Sequence, residues 1–223
     1  VWEFNAWNRA YNVSVKFHER ADRWKWVKSG ILLNMEGIRR MPYNWKLYKH
    51  LAFMFMHKCA DYQKETKEEF GRGEDDNFTL ARRCYKKAIR LYKEKVLKRN
   101  PDASLNLYMH RAVIHTYEKQ GDFRKALELY DAHLEKYPFD TVARQNRDRF
   151  LREKEQYQEL VKQAVQAFKK KDYERVIEIY EDTIKGKPYL MPVECIEAVL
   201  NSYRRTEHFE SGIRFIHRVM GMK

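Results

Sequence analysis

The chain has 223 residues, of which 45 are Lys or Arg and 32 are Asp or Glu, so its formal net charge is +13. Eight glycines and five prolines leave few residues for the turns of an all-β fold, and the 14% of aromatic residues supply a sizeable core, which excludes a disordered chain. The positive charge favours an anionic partner, whether an acidic protein, a nucleic acid or a membrane surface.

The three cysteines are far apart and odd in number, and no Cys-x-x-Cys pair occurs. This pattern argues against a disulfide framework or a zinc site, and it favours the cytoplasm or another internal compartment over disulfide-rich secretion. The longest apolar run, residues 51–56, is too short to cross a bilayer. We therefore expect a soluble chain with no transmembrane segment, no metal and no other cofactor.

The N-terminal segment is unusually aromatic. Seven rings fall within its first 26 residues: Trp2, Phe4, Trp7, Tyr11, Phe17, Trp24 and Trp26. Two interpretations stay open: the rings form the core of the first helix pair, or part of the patch faces a missing upstream segment or a partner, which includes a second copy of the chain. Because the chain lacks an initiator methionine and opens in a helical stretch, we expect a piece of a longer protein.

Apolar spacing predicts a helix over residues 22–41, and then a helix pair over 45–64 and 80–99. The connector 70–77 contains two glycines and three acids, which is typical of a loop.

The second helix of that pair carries the densest basic cluster of the chain. Its candidate partner-binding residues are Arg82, Arg83, Lys86, Lys87, Arg90 and Lys93. Helical spacing places Arg82, Lys86, Arg90 and Lys93 along one side, while the tyrosines of the segment fall at core positions. Three interpretations stay open: a solvated face, a docking surface for an acidic protein, or a nucleic-acid surface.

Residues 107–138 predict two amphipathic helices joined at Gly121. A tyrosine lies four residues before the glycine, Ala126 lies five after it, Tyr130 lies nine after it, and Pro138 closes the unit. The pattern returns downstream with Lys171 in place of the glycine, and with a valine, a tyrosine and a proline at the following positions.

Between these units, residues 139–156 are highly charged and lack Gly and Pro. They form either a separate helix or a long extension of the helix that follows. The last unit, residues 192–223, predicts two helices with a turn at 206–208, and Gly212 occupies its alanine position.

This spacing resembles the tetratricopeptide repeat family, well over residues 102–223 and by spacing only over 1–101. The resemblance implies an all-α fold, a superhelical solenoid of about five antiparallel helix pairs, with residues 1–223 as a single domain. It also implies a concave groove that holds another protein. The aromatic N-terminal part resembles tetratricopeptide subunits that organise respiratory enzymes into tubules, such as that of nitrite oxidoreductase.

The groove implied by the resemblance is lined by the first helix of each pair. Its best candidate positions are Tyr108, Arg111, His115, Glu118 and Lys119. Some family members hold a terminal carboxylate with a lysine–asparagine clamp. The corresponding positions here are Arg111 and His115 in one unit and Glu197 and Asn201 in another, so this kind of peptide capture is not expected.

Catalytic signatures are missing from the sequence: we find no Gly-rich phosphate loop, nucleophile elbow or distinguishable Ser/His/Asp grouping. We therefore expect a non-catalytic scaffold that binds other proteins with acidic surfaces and helps to assemble a larger complex, with filaments and membrane-associated assemblies among the options. The alternative is a helical-repeat RNA-binding module that uses the basic surface.

Overall fold

Every regular element that the structure describes is helical. The computed structural model describes residues 1–100, 107–184 and 191–219, and no β-strand occurs in these ranges. The all-α prediction is thus confirmed. The chain divides into two compact units, Val1–Asp140 and Thr141–Lys223. The prediction of a single domain over 1–223 stays a prediction.

The helices follow one another with short connections. They are α1 (Trp2–Trp7), α2 (Arg20–Arg40), α3 (Trp45–Phe53), α4 (Gln63–Glu69), α5 (Asn77–Tyr92), α6 (Leu107–Gln120), α7 (Phe123–Lys136), α8 (Thr141–Lys169), α9 (Tyr173–Ile179), α10 (Val193–Arg205) and α11 (Phe209–Val219). Four of them continue as π-helical turns: α1 over Asn8–Val13, α3 over Met54–Lys58, α5 over Lys93–Leu97 and α9 over Tyr180–Ile184.

Residues 141–169 form one uninterrupted helix. Of the two interpretations of the charged stretch, the long extension of the following helix is therefore the right one. The predicted helices at 22–41, 80–99 and 107–138 also lie where the spacing placed them, within a few residues. Pro188, the proline of the downstream pattern, lies outside the described residues.

Three helix pairs share one turn geometry. Gly121, Lys171 and Glu207 all have a left-handed backbone, with φ of 78°, 64° and 60°. The N–H of the next residue then donates to the carbonyl five positions earlier: Asp122 to Tyr117, Asp172 to Ala167 and His208 to Tyr203, each at 3.0 Å. This is the hydrogen-bond pattern that closes a helix through a left-handed residue. The turn chemistry therefore does not need a glycine, although a glycine suits it best.

The second helix of two of these pairs starts at an aspartate. The Asp122 carboxylate accepts from the backbone N–H of Lys125, and the Asp172 carboxylate accepts from that of Arg175. An acceptor at this position satisfies an N–H group that the helix itself leaves unpaired. The Gly-Asp and Lys-Asp dipeptides thus stop one helix and start the next.

Replacing Lys171 by glycine is expected to stabilise the second unit by about 1 kcal/mol, because a side chain in the left-handed region costs about that much. Thermal unfolding followed by circular dichroism would measure the gain. Lys170→Gly is the matched control, since Lys170 is equally exposed and carries the same charge but has no positive φ. An equal effect of the two substitutions would contradict the explanation.

The residue five positions after each turn is buried between the paired helices. Ala126 and Val176 are fully buried, and a Cβ atom added to Gly212 would lie 3.3 Å from the Tyr203 Cβ. Tyr130 and Tyr180 are also buried, nine positions after their turns. The spacing that predicted the helix pairs therefore also predicts which residues of the second helix are buried.

In the first unit, α1 packs unusually close to α2. A Cβ atom added to Gly30 would lie 2.6 Å from the Ala6 carbonyl oxygen and 2.9 Å from the Ala10 Cβ. Real Cβ atoms do not approach backbone oxygens this closely, so the glycine is needed for the contact. Because Gly30, Ala6 and Ala10 are all small, the two helices can approach this closely.

Several N-terminal rings contact other residues of the first unit. Trp2 lies over Gly37, Trp7 stacks on Tyr11 with ring centroids 3.9 Å apart, and Trp24 stacks on Tyr62 at 5.2 Å. Phe4, in contrast, is 71% exposed. The other six rings are half-buried, and Tyr11 and Trp24 among them pack against the core cluster of the first unit, so both interpretations of the aromatic segment stay open.

The three cysteines are free thiols in this all-helical packing. Burial raises the pKa of Cys59 and Cys84 to about 12 and that of Cys195 to about 11. Within the described ranges, no helix is both long and apolar enough to cross a bilayer.

Candidate protein-binding surface

Helix α5 presents its basic residues on two different sides. Ala81, Tyr85 and Ala88 are buried and fix the orientation of the helix. Arg83, Lys86, Arg90 and Lys93 are all exposed, at spacings of three, four and three residues. These four side chains, which we call the α5 basic stripe, therefore lie along one solvent-facing side.

Arg82 does not belong to the α5 basic stripe, although the helical spacing had suggested it. Its guanidinium lies over the Tyr117 ring, 4.0 Å from the centroid, and donates to the Gln120 Oε1 at 2.5 Å. Lys87 is half-buried near the Tyr48 ring. Both cations are therefore occupied by contacts inside the first unit.

Two members of the stripe face acidic neighbours. Arg83 pairs with Asp75, and Arg90 lies 3.9 Å from Glu94, with both arginine side chains more than 60% exposed. Exposed pairs of this kind contribute little free energy, typically under 1 kcal/mol. Lys86 and Lys93 form no ion pair within the part of the chain that the structure describes. The stripe therefore keeps most of its positive charge available.

Arg111, a predicted groove residue, is held in a buried network. Its Nη1 donates to both Asp140 carboxylate oxygens, at 2.9 and 2.8 Å, and the His133 Nε2 lies 2.8 Å from Asp140 Oδ2. The carboxylate is only 2% exposed. A buried carboxylate is stable when it is paired and hydrogen-bonded in this way. We call these three residues the Arg111 network.

Two further groove residues also meet inside the unit. The His115 Nδ1 lies 2.5 Å from Glu118 Oε2, and the Tyr130 hydroxyl donates to Glu118 Oε1 at 2.7 Å. The Glu118 side chain is only 8% exposed.

Tyr108, at 42% exposure, and the exposed Lys119 are the most accessible of the five predicted groove residues. Whether the five contact a partner stays a prediction.

A cleft that the sequence did not predict lies between α5, α6 and α7. Its volume is about 290 Å³. The lining residues come from all three helices: Lys86, Ile89, His110, Val113, Ile114, Leu129, Ala132, His133, Lys136 and Tyr137. We call it the three-helix cleft. Of the predicted surface residues, only Lys86 lines it.

His110, in this cleft, is neutral at physiological pH. Its pKa is lowered from 6.5 to about 4, mainly by burial and to a smaller extent by the nearby Lys93, His133 and Lys136. Between pH 6.5 and 4 the unfolded chain therefore binds more protons at this position, so His110 reduces stability as the pH falls through this window.

We expect the His110 ring resonances to titrate with a midpoint near pH 4 in an NMR experiment. Lys93→Gln should raise that midpoint, because it removes one of the repelling charges. A midpoint near 6.5 in the unmodified protein would contradict the burial of this ring.

Metal binding was not expected from the sequence. Over residues 1–100, 107–184 and 191–219, no three His, Cys, Asp or Glu side chains group closely enough to hold a metal ion. The prediction of a chain without cofactors stays a prediction, as does that of a chain without catalytic activity.

Neither a protein-family model nor a curated protein matches the sequence. The resemblance to tetratricopeptide repeat proteins therefore stays a prediction, made from the residues at the turns and between the paired helices.

Proposed function

We propose that the chain is a non-catalytic scaffold that binds the acidic surface of another protein through the α5 basic stripe. The single observation that carries this proposal is the stripe itself, four exposed cations on one side of a helix whose other side is buried. Like charges three and four residues apart repel one another, and an acidic partner would relieve that repulsion.

We also propose that the scaffold is a member of the tetratricopeptide repeat family. Its fold would then be a superhelical solenoid of about five antiparallel helix pairs. The repeated left-handed turn and the buried small residue after it support this architecture. Its role is the assembly of a larger complex, since four of the five groove positions, Tyr108 among them, are engaged in contacts within the first unit.

A pull-down from native lysate, followed by mass spectrometry, tests the proposal. We expect the unmodified chain to retain a defined protein at moderate salt, and Arg83→Glu/Arg90→Glu to lose it. The matched control is Lys162→Glu/Lys170→Glu, which makes the same charge change at exposed positions of α8 and the following turn. The retained protein is then purified and mixed with each variant to measure direct binding.

Equal binding by the stripe variant and the control would contradict the proposal. Retention that nuclease abolishes, and that falls steeply as salt is raised, would instead favour the RNA-binding alternative. The buried Tyr85 ring gives that alternative no stacking platform on the stripe.

A further inference from the structure

The three-helix cleft has apolar walls beside a charged surface. Ile89 from α5, Val113 and Ile114 from α6, and Leu129 from α7 line it. A concave apolar site of about 290 Å³ is at the lower end of the range for pockets that take small ligands or single side chains.

One wall of the cleft is formed by three rings. His133 and Tyr137 have centroids 5.0 Å apart, and His110 lies 6.1 Å from His133 and 6.0 Å from Tyr137. The planes within this cluster are inclined by 43° to 64°. Aromatic pairs prefer edge-to-face or offset contacts to a parallel sandwich. Rings that are inclined to one another leave both edges and faces open for such contacts with a further ring.

One ring of this wall, His133, is held in place by hydrogen bonds within the first unit. The Arg111 network holds His133 through Asp140, which both Arg111 and His133 contact at 2.8 Å. A side chain that is already held by hydrogen bonds loses little conformational freedom on binding. Arg111 thus acts as a positioning residue for the His133 ring.

Cations surround the cleft. Lys86 and Lys136 line it, and Lys93 is close enough to lower the pKa of His110. The lining contains no Asp or Glu in the part of the chain described here. The charge at this site therefore complements a partner segment with carboxylates and opposes one with basic residues.

We infer that the three-helix cleft binds an aromatic side chain, flanked by carboxylates, from an acidic segment of the partner protein. The ring enters between Leu129 and the His110–Tyr137 wall, while the flanking carboxylates contact Lys86 and Lys136. This inference rests on the proposed function and names the kind of segment that anchors the partner. Lys86 belongs both to the cleft and to the α5 basic stripe, which joins the two surfaces.

The test uses the synthetic peptide acetyl-Glu-Asp-Phe-Asp-Glu-amide and the full chain, with binding followed by NMR chemical shifts. We expect saturable shifts at Leu129 and His110. Replacing the peptide's phenylalanine by alanine should weaken binding at least tenfold. A peptide with Lys in place of each acid should not bind.

Ala132→Trp should also weaken binding at least tenfold, because an indole at this exposed lining position fills the cleft without disturbing the core. Gln63→Trp, which adds an indole at an exposed position outside the cleft, should leave binding unchanged. Lys86→Glu/Lys136→Glu should abolish binding of the acidic peptide. Circular dichroism confirms that each variant is folded.

The inference is overturned if the alanine peptide binds as well as the phenylalanine peptide, if the basic peptide binds equally, or if Ala132→Trp has no effect. These outcomes are distinct from failure of the proposed function. A partner protein lost by Arg83→Glu/Arg90→Glu but still bound by Ala132→Trp supports the scaffold and excludes the cleft as its anchor.

Discussion

Replacing Asp140 by asparagine is expected to lower the free energy of unfolding of the first unit by about 3 kcal/mol. The Asp140 carboxylate is 2% exposed and receives hydrogen bonds from Arg111 and His133. An asparagine keeps the shape but removes the negative charge, so the half-buried Arg111 guanidinium loses its counter-charge. Removing one member of a buried pair costs far more than removing an exposed one.

The tryptophans make this loss measurable in the intact chain. All five, the last of them Trp45, lie in the first unit, so their fluorescence in urea follows the unfolding of that unit. Asp22→Asn is the matched control, because Asp22 pairs with Lys25 at the surface and should cost less than 1 kcal/mol. Similar urea midpoints for the two variants would show that the Arg111 network adds little to stability.

Replacing Gly30 by leucine is expected to destabilise the first unit by about 3 kcal/mol. Any side chain at this position meets the Ala6 carbonyl oxygen and the Ala10 Cβ, so α1 must move away from α2. Such a shift opens the packing on both sides of the contact, which close-packed interiors do not tolerate well.

Gly73→Leu separates this steric effect from the general cost of replacing a glycine. A Cβ atom at Gly73 meets nothing within 4 Å, but the residue has φ of 79°. Its substitution should therefore cost only about 1 kcal/mol, from the left-handed backbone alone. Equal losses for Gly30→Leu and Gly73→Leu in urea would mean that the two helices separate without penalty.

The helices and their turns could be predicted because their signals are local. The apolar period gave α2, α5, α6 and α7, and the tyrosine–glycine–alanine spacing gave the turn at Gly121 and its buried Ala126. The same spacing also found the turn at Lys171. Its left-handed backbone was not foreseeable from a lysine, since helix-closing hydrogen bonds rather than residue preference impose it.

The side-chain contacts could not be predicted because they join distant positions. Arg111 and Asp140 are 29 residues apart, and the charge pattern of α6 alone left Arg111 free for a partner. Likewise, helical spacing could not distinguish Arg82 from Arg83. The position of Tyr117 on the neighbouring helix decided which of the two arginines faces inward.

The three-helix cleft was missed for a related reason. Its lining combines residues from α5, α6 and α7 that share no sequence pattern. His115 is the histidine singled out in the sequence, whereas the histidines that line the cleft are His110 and His133. A clue was present in the apolar and aromatic residues Leu129, His133 and Tyr137, spaced by four along α7 and its end. Only the packing of three helices shows that they enclose a space.

The native thiols, two of them buried and that of Cys84 half-buried, have a practical consequence for mapping a partner. The thiolate is the form of cysteine that attacks an alkylating reagent, and at pH 8 a thiol with a pKa of about 12 is ionised in about one molecule in ten thousand. Cys59 and Cys84 have such values, and Cys195 is close to them. A single cysteine introduced at Arg90 would therefore accept a fluorophore or a photo-crosslinker selectively, without removal of the native thiols, and would report which protein comes within reach of α5.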